Sequence, residues 1–575
     1  MILYNIIYII VRSRLFSYDS MNITYIKAFI TRHHSSFISF LLCLVALAFA
    51  LFVHPIYETN DDPGMESLLF GINGDGGTSF LVFINRILGI ILYQLVSVFP
   101  FVNWYFIMHY SICLLSIFIL IYVFSDKYKN VSLAVGIIVL SVIIEPLFLV
   151  QFTKTAALAL LSGGIGLIYS LKNKKCLALS IACIILLVLA SMLRESVLFS
   201  TCPFLLIVYL FELLDIRKDN FIVFKNSLIT ILIAASLIIL SFTIGDYINA
   251  NTPGIDEFNQ YNYYRSNIQD YDFNPETIAS ADSEVYMVAN WMNNDPEVFT
   301  SEKLETLSNA YSSTQQVPNI HNILIRFLNH IVDMLLHQHV LIASILFAAY
   351  VLVFGSSKKW YPISLISIFM ILELYLVFKG RYNIHRVDFG ILLSLFISII
   401  YLSNVKIPSF LKLSKGSFKS ISFLFCLASV IFLIVPSISL HAGYLYYYTS
   451  LQSSFIDACN EENTYYYIHP LAYDVDAKRN IYDIPEQILD SNYSFMGGWG
   501  SGIRIPGQDN LENSEQNLWE QCIDNENIKL VLPSNASTVY IDTIEWYIEE
   551  HYKSNVESIL VYENESISVF RIISA

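Results

Sequence analysis

Long apolar runs separated by short polar turns dominate the first three quarters of the chain. They lie near 36–56, 103–124, 131–150, 154–171, 176–193, 196–213, 226–246, 337–355, 360–378, 386–403 and 419–440. Each approaches the length of about 20 residues that an α-helix needs to cross a hydrocarbon layer. The pattern predicts a mainly α, polytopic membrane protein of about eleven spans. A further run, 80–99 (FLVFINRILGIILYQLVSVF), is also apolar but carries Arg86. An apolar helix interrupted by a charge fits a position in the membrane interface. The stretch MILYNIIYII is too short to cross and lacks a small-residue cleavage site, so no cleaved signal peptide is expected. After the last run the pattern changes. NTYYYIHP, IKLVLP and the pair ESILVYE and SISVFRI read as short strands. STVYIDTIEWYIEEHYK reads as an amphipathic helix with Ser537 or Thr538 as its cap. The tail is therefore expected to be a small α/β domain.

Composition agrees with this division. Only 14% of the 575 residues are charged and 55% are hydrophobic, against roughly 25% charged in soluble chains; mean hydropathy is +0.55. The net charge of -15 is unevenly placed: residues 441–575 hold 21 acidic and 6 basic side chains, and 247–332 hold 11 and 3. The remainder is basic, which leaves no nucleic-acid footprint. Lys and Arg cluster in alternate short loops: Arg12 to Arg32, Lys127/Lys129, Lys172 to Lys175, Arg217 to Lys225, Lys358/Lys359 and Lys406 to Lys419. Cytoplasmic placement of these loops puts the N-terminus inside and both acidic regions outside. Eleven spans satisfy that parity only if 80–99 does not cross. The expected organisation is a cytoplasmic segment 1–35, a membrane domain 36–440 with outer loops 57–102 and 247–336, and an extracytoplasmic domain 441–575.

The first outer loop, HPIYETNDDPGMESLLFGINGDGGTSF, places Asp61 and Asp62 at the membrane surface. Adjacent carboxylates repel, which can leave one as a base near neutral pH; the competing reading is a solvated turn at Asp62-Pro63-Gly64. An acidic pair just after the first span, a short helix, the Gly-rich turn Gly74-Asp75-Gly76-Gly77 and a membrane-lying helix at 80–99 together resemble the GT-C superfamily of membrane glycosyltransferases. The resemblance implies inverting transfer of a sugar from a polyprenyl-phosphate carrier, with Asp61 and Asp62 as the catalytic carboxylates.

Basic residues stand at outer span ends where the charge rule makes them scarce: Lys154, Arg194, Lys379, Arg381, His385 and Arg386, four of them in KGRYNIHR. Such a cluster is a candidate cradle for a lipid phosphate. The competing reading is snorkelling, or pairing with Glu145, Glu195 and Glu373. Arg265 and Asp270, among the tyrosines of NQYNYYRSNIQDYDF, and Trp499 in SFMGGWGSG are candidate sugar contacts. Ordinary loop packing competes with that reading for all three. His109, His330, His337 and His339 show no ligand spacing and read as structural. Six of the eight cysteines read as membrane packing; Cys459 and Cys522 are a candidate disulfide in a compartment that permits one. No CxxC, HExxH or phosphate-loop motif occurs. No cofactor is expected beyond a candidate divalent cation at Asp61 and Asp62, which offer only two ligands. The expected partners are a lipid-linked sugar donor, a glycan or lipid acceptor and membrane lipids. Alternatives are a polysaccharide polymerase or ligase, a transporter or flippase of lipid-linked glycans, and a membrane-anchored interaction module.

Overall fold

The computed structural model describes residues 33–72, 76–269, 282–314, 320–354, 360–403, 415–459, 461, 463–472, 481–485, 493–503, 505–506 and 518–575. Most of the segment 1–35, Asp270 and the Gly74-Asp75 part of the Gly-rich turn lie outside them. The first half runs α1 (His34–Phe52), α2 (Asp61–Phe70), α3 (Arg86–Val98), α4 (Trp104–Lys127), α5 (Ser132–Ile143), α6 (Phe152–Lys172), α7 (Leu177–Leu193), α8 (Val197–Asp219) and α9 (Phe221–Ala250). The outer loop that follows contributes α10 (Ile255–Gln269), α11 (Ser283–Ala289) and α12 (Ser301–Thr314). The chain returns through α13 (Ile320–His337), α14 (His339–Phe354), α15 (Tyr361–Phe378), α16 (His385–Leu402) and α17 (Lys415–Ala458).

Each of the eleven apolar runs contains a helix, and among the described residues eight helices are long and apolar enough to cross a membrane, or nine if α13 and α14, bent by 93° at Gln338, form one broken span. The chain is a multi-pass membrane protein. Two runs fall short of the expected eleven for physical reasons. Over 131–150, Pro146 cannot continue a helix, so α5 ends at Ile143 and Leu149–Val150 goes into a strand. α7 has 17 residues, about 25 Å at 1.5 Å per residue. α3 has 13 residues, about 20 Å against a core of about 30 Å. α6 lies at the centre, buried along nearly all its length. Its sequence, TAALALLSGGIG, explains this, because small residues let neighbouring backbones approach. A Cβ on Gly163 would stand 2.8 Å from the Cys183 carbonyl of α7, and one on Gly164 would meet Leu205 of α8 at 2.6 Å.

The tail forms a five-stranded mixed sheet. Besides the two-residue strands β1 (Ile56–Tyr57) and β2 (Leu149–Val150) in the membrane domain, it contains β3 (Tyr465–Ile468), β4 (Tyr493–Phe495), β5 (Ile528–Pro533), β6 (Val556–Glu563) and β7 (Ile567–Ser574), in the order β4-β3-β5-β7-β6. Between them come the short α18 (Leu518–Gln521) and the amphipathic α19 (Ser537–Tyr552). β5, buried at every position, is its central strand. The helix begins without a side-chain cap bond, unlike the expected Ser537 or Thr538 cap.

The two acidic regions share one core. Tyr261, Met287 and Phe299 of the outer loop pack with Tyr467, Trp519, Tyr547 and Ile572 of the tail. Buried Asp295 accepts hydrogen bonds from the hydroxyls of Tyr547 (2.7 Å) and Tyr552 (2.6 Å). Asp295 thereby ties the loop to the sheet domain.

Candidate functional site

A two-residue parallel ladder assembles the site. Ile56 pairs with Leu149 and Tyr57 with Val150, and Glu58 N–H donates to the Val150 carbonyl at 3.0 Å. This brings the first outer loop against the turn Glu145–Leu147 and the start of α6. Lys154, fully buried in the first turn of α6, lies 2.8 Å from Glu58 Oε2 and 2.5 Å from Glu145 Oε1. His385, at the start of α16, adds contacts of 3.1 Å from Nδ1 to Glu58 and 3.8 Å from Nε2 to Glu145. Ser437 of α17 donates to Glu145 Oε2 at 2.5 Å. Burial pushes the Glu58 carboxyl up, but the Lys154 ammonium and His385 more than offset it and hold it down at about 2. Lys154 is therefore corrected from a phosphate ligand to the centre of a buried ion cluster. Two carboxylates already neutralise it, and no solvent-facing donor remains.

The Asp-Asp pair divides into two unlike groups. Asp62 is fully buried, and its Oδ1 accepts from Tyr105 Oη at 2.8 Å and from the backbone N–H of Phe152 at 3.2 Å. His109 Nε2 stands 3.8 Å away. Burial pushes the Asp62 carboxyl well above the usual carboxylate range; the Tyr105 bond opposes this and neighbouring Asp61 adds to it. Asp62 thus joins the first outer loop to the N-termini of α4 and α6. Asp61 keeps 18% side-chain exposure and faces the guanidinium of Arg386 at 3.8 Å. Of the two, Asp61 is the carboxylate a substrate can reach.

The other sequence candidates separate as clearly. Arg194 lies over the rings of Phe83 (5.0 Å) and Phe152 (5.3 Å), which stack on each other. Phe83 in turn meets Trp499 edge-on, and Trp499 covers Gly64 so closely that a Cβ there would lie 2.8 Å from its ring. Trp499 therefore touches the Asp61–Gly64 turn directly, and Arg194 reaches it through Phe83 and Trp499. Lys379 is exposed at the end of α15, and Arg381 follows it half-buried, its N–H donating to the Leu376 carbonyl at 2.9 Å. Arg265 is 5% exposed, bonded to Asn262 and Gln269 and set over the Trp291 ring. It packs within the loop domain. Cys459 and Cys522 are free, buried thiols in two different apolar clusters, so they form no disulfide. His330, read as structural, instead stands with Glu373 and Asp388.

Sequence reasoning missed Glu58 and Ser437 and gave Glu145 only as a competing partner. No spacing links residues 58, 145, 154 and 437. The one available signal was a lysine at the head of an otherwise apolar helix, which must find carboxylates when buried. Beside the cluster is a cavity of about 170 Å³, lined by Glu145, His385 and Ser437 together with apolar Val142, Phe389, Leu392 and Leu440. Its wall is polar at the ion cluster and again at His337, Gln338 and His339 of the α13–α14 break, and apolar along the facing sides of α16 and α17.

No protein-family model matches the chain, and no curated protein sequence matches it. Among solved structures, the chain is similar to the crystal structure of ArnT from Cupriavidus metallidurans bound to undecaprenyl phosphate. The match has a TM-score of 0.40 and 9% identity, and covers 94% of this chain and 98% of that one. A likeness this distant says nothing of activity, which rests on the residues themselves.

Proposed function

We propose that the chain is a membrane glycosyltransferase of GT-C type. It moves a sugar from a polyprenyl-phosphate carrier to an extracytoplasmic acceptor, with inversion at the anomeric carbon. The observation that carries this reading is the accessible Asp61 carboxylate beside the Arg386 guanidinium, 3.8 Å apart at the outer-loop surface. In the proposed step the acceptor oxygen bonds to the anomeric carbon and gives its proton to Asp61. The bond to the phosphate oxygen breaks and its electron pair leaves with the phosphate. Arg386, with paired donors, stabilises that developing charge, and Arg194 flanks the turn through Phe83 and Trp499. Lys154, Glu58, Glu145 and Asp62 position the loop and do not touch substrate. The amphiphilic cavity suits part of a lipid carrier, being smaller than the roughly 300–1,000 Å³ of ordinary small-molecule sites. The alternating Lys/Arg loops support an inside N-terminus and an outside tail domain.

A transporter of lipid-linked glycans is the second reading. Two observations favour it: the 93° break between α13 and α14 and the buried ion cluster. Broken helices and buried ionisable groups are features of transporters. Kinetics on purified protein separate the two. Arg386→Ala should lower kcat/KM for the donor about 10- to 150-fold, the equivalent of a charged hydrogen bond of about 1.5–3 kcal/mol, while the acceptor KM stays near wild type. Arg386→Lys should recover only part, since a point charge lacks the guanidinium fork. Unchanged donor kcat/KM in both Arg386→Ala and Arg194→Ala would remove the phosphate role.

A further inference from the structure

Away from the Asp61 turn, three membrane-domain helices converge on a second cluster. His330 of α13, Glu373 of α15 and Asp388 of α16 are all buried, and one ligand atom from each lies within 4.8 Å of the other two. Among the described residues Glu373 Oε1 and Asp388 Oδ1 have no hydrogen-bond partner, although Glu373 is 0% and Asp388 4% exposed. His330 Nδ1 is 2.7 Å from Asn383 Oδ1 and its Nε2 is 2.9 Å from Glu373 Oε2. If Nδ1 carries the proton and donates to the Asn383 oxygen, Nε2 presents a lone pair to a carboxylate. Two acceptors at that distance require a proton or a cation between them.

We propose that His330, Glu373 and Asp388 bind one divalent transition-metal ion, Zn²⁺ or Mn²⁺. One imidazole nitrogen and two carboxylate oxygens suit these ions. A small closing movement brings the side chains to the roughly 2.0–2.2 Å that nitrogen and oxygen take to zinc. Asn383 supplies the outer-shell bond that fixes a ligating histidine's tautomer and orientation. Its backbone is left-handed at φ 61°, as is Gly380 at φ 69°; these two residues let the 379–384 loop turn tightly enough to bring Asn383 against the ring. The ion ties α13, α15 and α16 together at the base of the loop leading to His385 and Arg386. It shares no ligand with the Asp61–Arg386 pair, although Asp388 and Arg386 stand in the same turn of α16, and the proposal does not depend on the glycosyl-transfer reading.

The test uses full-length protein in detergent, stripped with a chelator, reloaded with Zn²⁺ or Mn²⁺, desalted and analysed by elemental mass spectrometry. About one ion retained per chain is expected from a single three-ligand site. Glu373→Gln and Asp388→Asn should each weaken binding at least about 10- to 100-fold, the scale on which even an outer-shell partner acts. Asn383→Leu should fall in that range, and Glu195→Gln, at an exposed carboxylate elsewhere, should leave retention unchanged. Failure of the wild-type chain to retain either ion would overturn the proposal without recourse to any variant and leave three groups sharing protons. Equal retention by wild type, Glu373→Gln and Asp388→Asn would overturn it as well.

Discussion

Lys154→Met keeps the length of the side chain and its packing beside the Phe389 ring but removes the ammonium between Glu58 and Glu145. Both carboxylates are 3% exposed, so neither can exchange its lost partner for water. Removing one member of a buried ion group typically costs about 3–5 kcal/mol. The Glu58 carboxyl carries the same signature: burial pushes it up, yet Lys154 and His385 hold it below the ordinary 4.5, at about 2. The folded value is the depressed one, so this stabilisation is complete above pH 4.5 and is lost as pH falls toward 2. At neutral pH, Lys154→Met should therefore lose about 3–5 kcal/mol in denaturant titrations of the detergent-solubilised chain. Lys154→Met/Glu145→Gln should recover at least about 1 kcal/mol of that, because neighbours in one charge network are not additive, and His385 still faces Glu58. A Lys154→Met chain within about 1 kcal/mol of wild type would refute the ion cluster as a source of stability.

Three further outcomes follow from the geometry. Asp62→Asn should fold and keep most of its activity, because an amide can accept the Tyr105 and Phe152 bonds and mimics a carboxyl that burial favours as neutral; Asp61→Asn should fold equally well and lose transfer, and identical kinetics for the two would contradict the division of the pair. Cys459 and Cys522 should resist thiol reagents until the chain unfolds, with reductant leaving the melting temperature unchanged; rapid labelling of native protein would contradict their burial. Asp295→Ala should leave the Tyr547 and Tyr552 hydroxyls unsatisfied, cost about 1–3 kcal/mol, and speed hydrogen exchange in α11 and α19 together; exchange confined to one of them would show that loop and tail are not one unit.

Element type was legible along most of the chain because apolar run length and period-two alternation report burial directly. Every long run contains a helix, and four of the five tail strands appear where β-branched and aromatic residues alternate; β4 (Tyr493–Phe495), at the edge of the Gly-rich stretch, was not expected. Boundaries were lost where a local rule was overlooked. Pro146 ends α5, and α17 continues as one 44-residue helix from the membrane into the tail. The Asp61/Asp62 turn could be found from its position after the first apolar run. The difference between its two carboxylates could not, because it depends on Tyr105 and the Phe152 amide, contributed by α4 and by the start of α6. Lys154 was noticed as a cation in the right place, but the choice between substrate and carboxylate partners required the β1–β2 ladder, a pairing of two dipeptides about ninety residues apart with no pattern of its own. His330, Glu373 and Asp388 come from three helices and were invisible for the same reason.

The most direct test of the central claim is transfer by the purified full-length chain in detergent. The donors are polyprenyl-phosphate sugars and the acceptors are drawn from the host's own lipid extract, with products read by mass spectrometry. No membrane barrier remains in detergent, so a flippase has nothing to do and an enzyme still turns over. The account predicts a new glycoside from the wild-type chain, with the rate falling about 10²- to 10⁴-fold in Asp61→Asn, the usual cost of losing a positioned base. Absence of any product, or full turnover by Asp61→Asn, would contradict it.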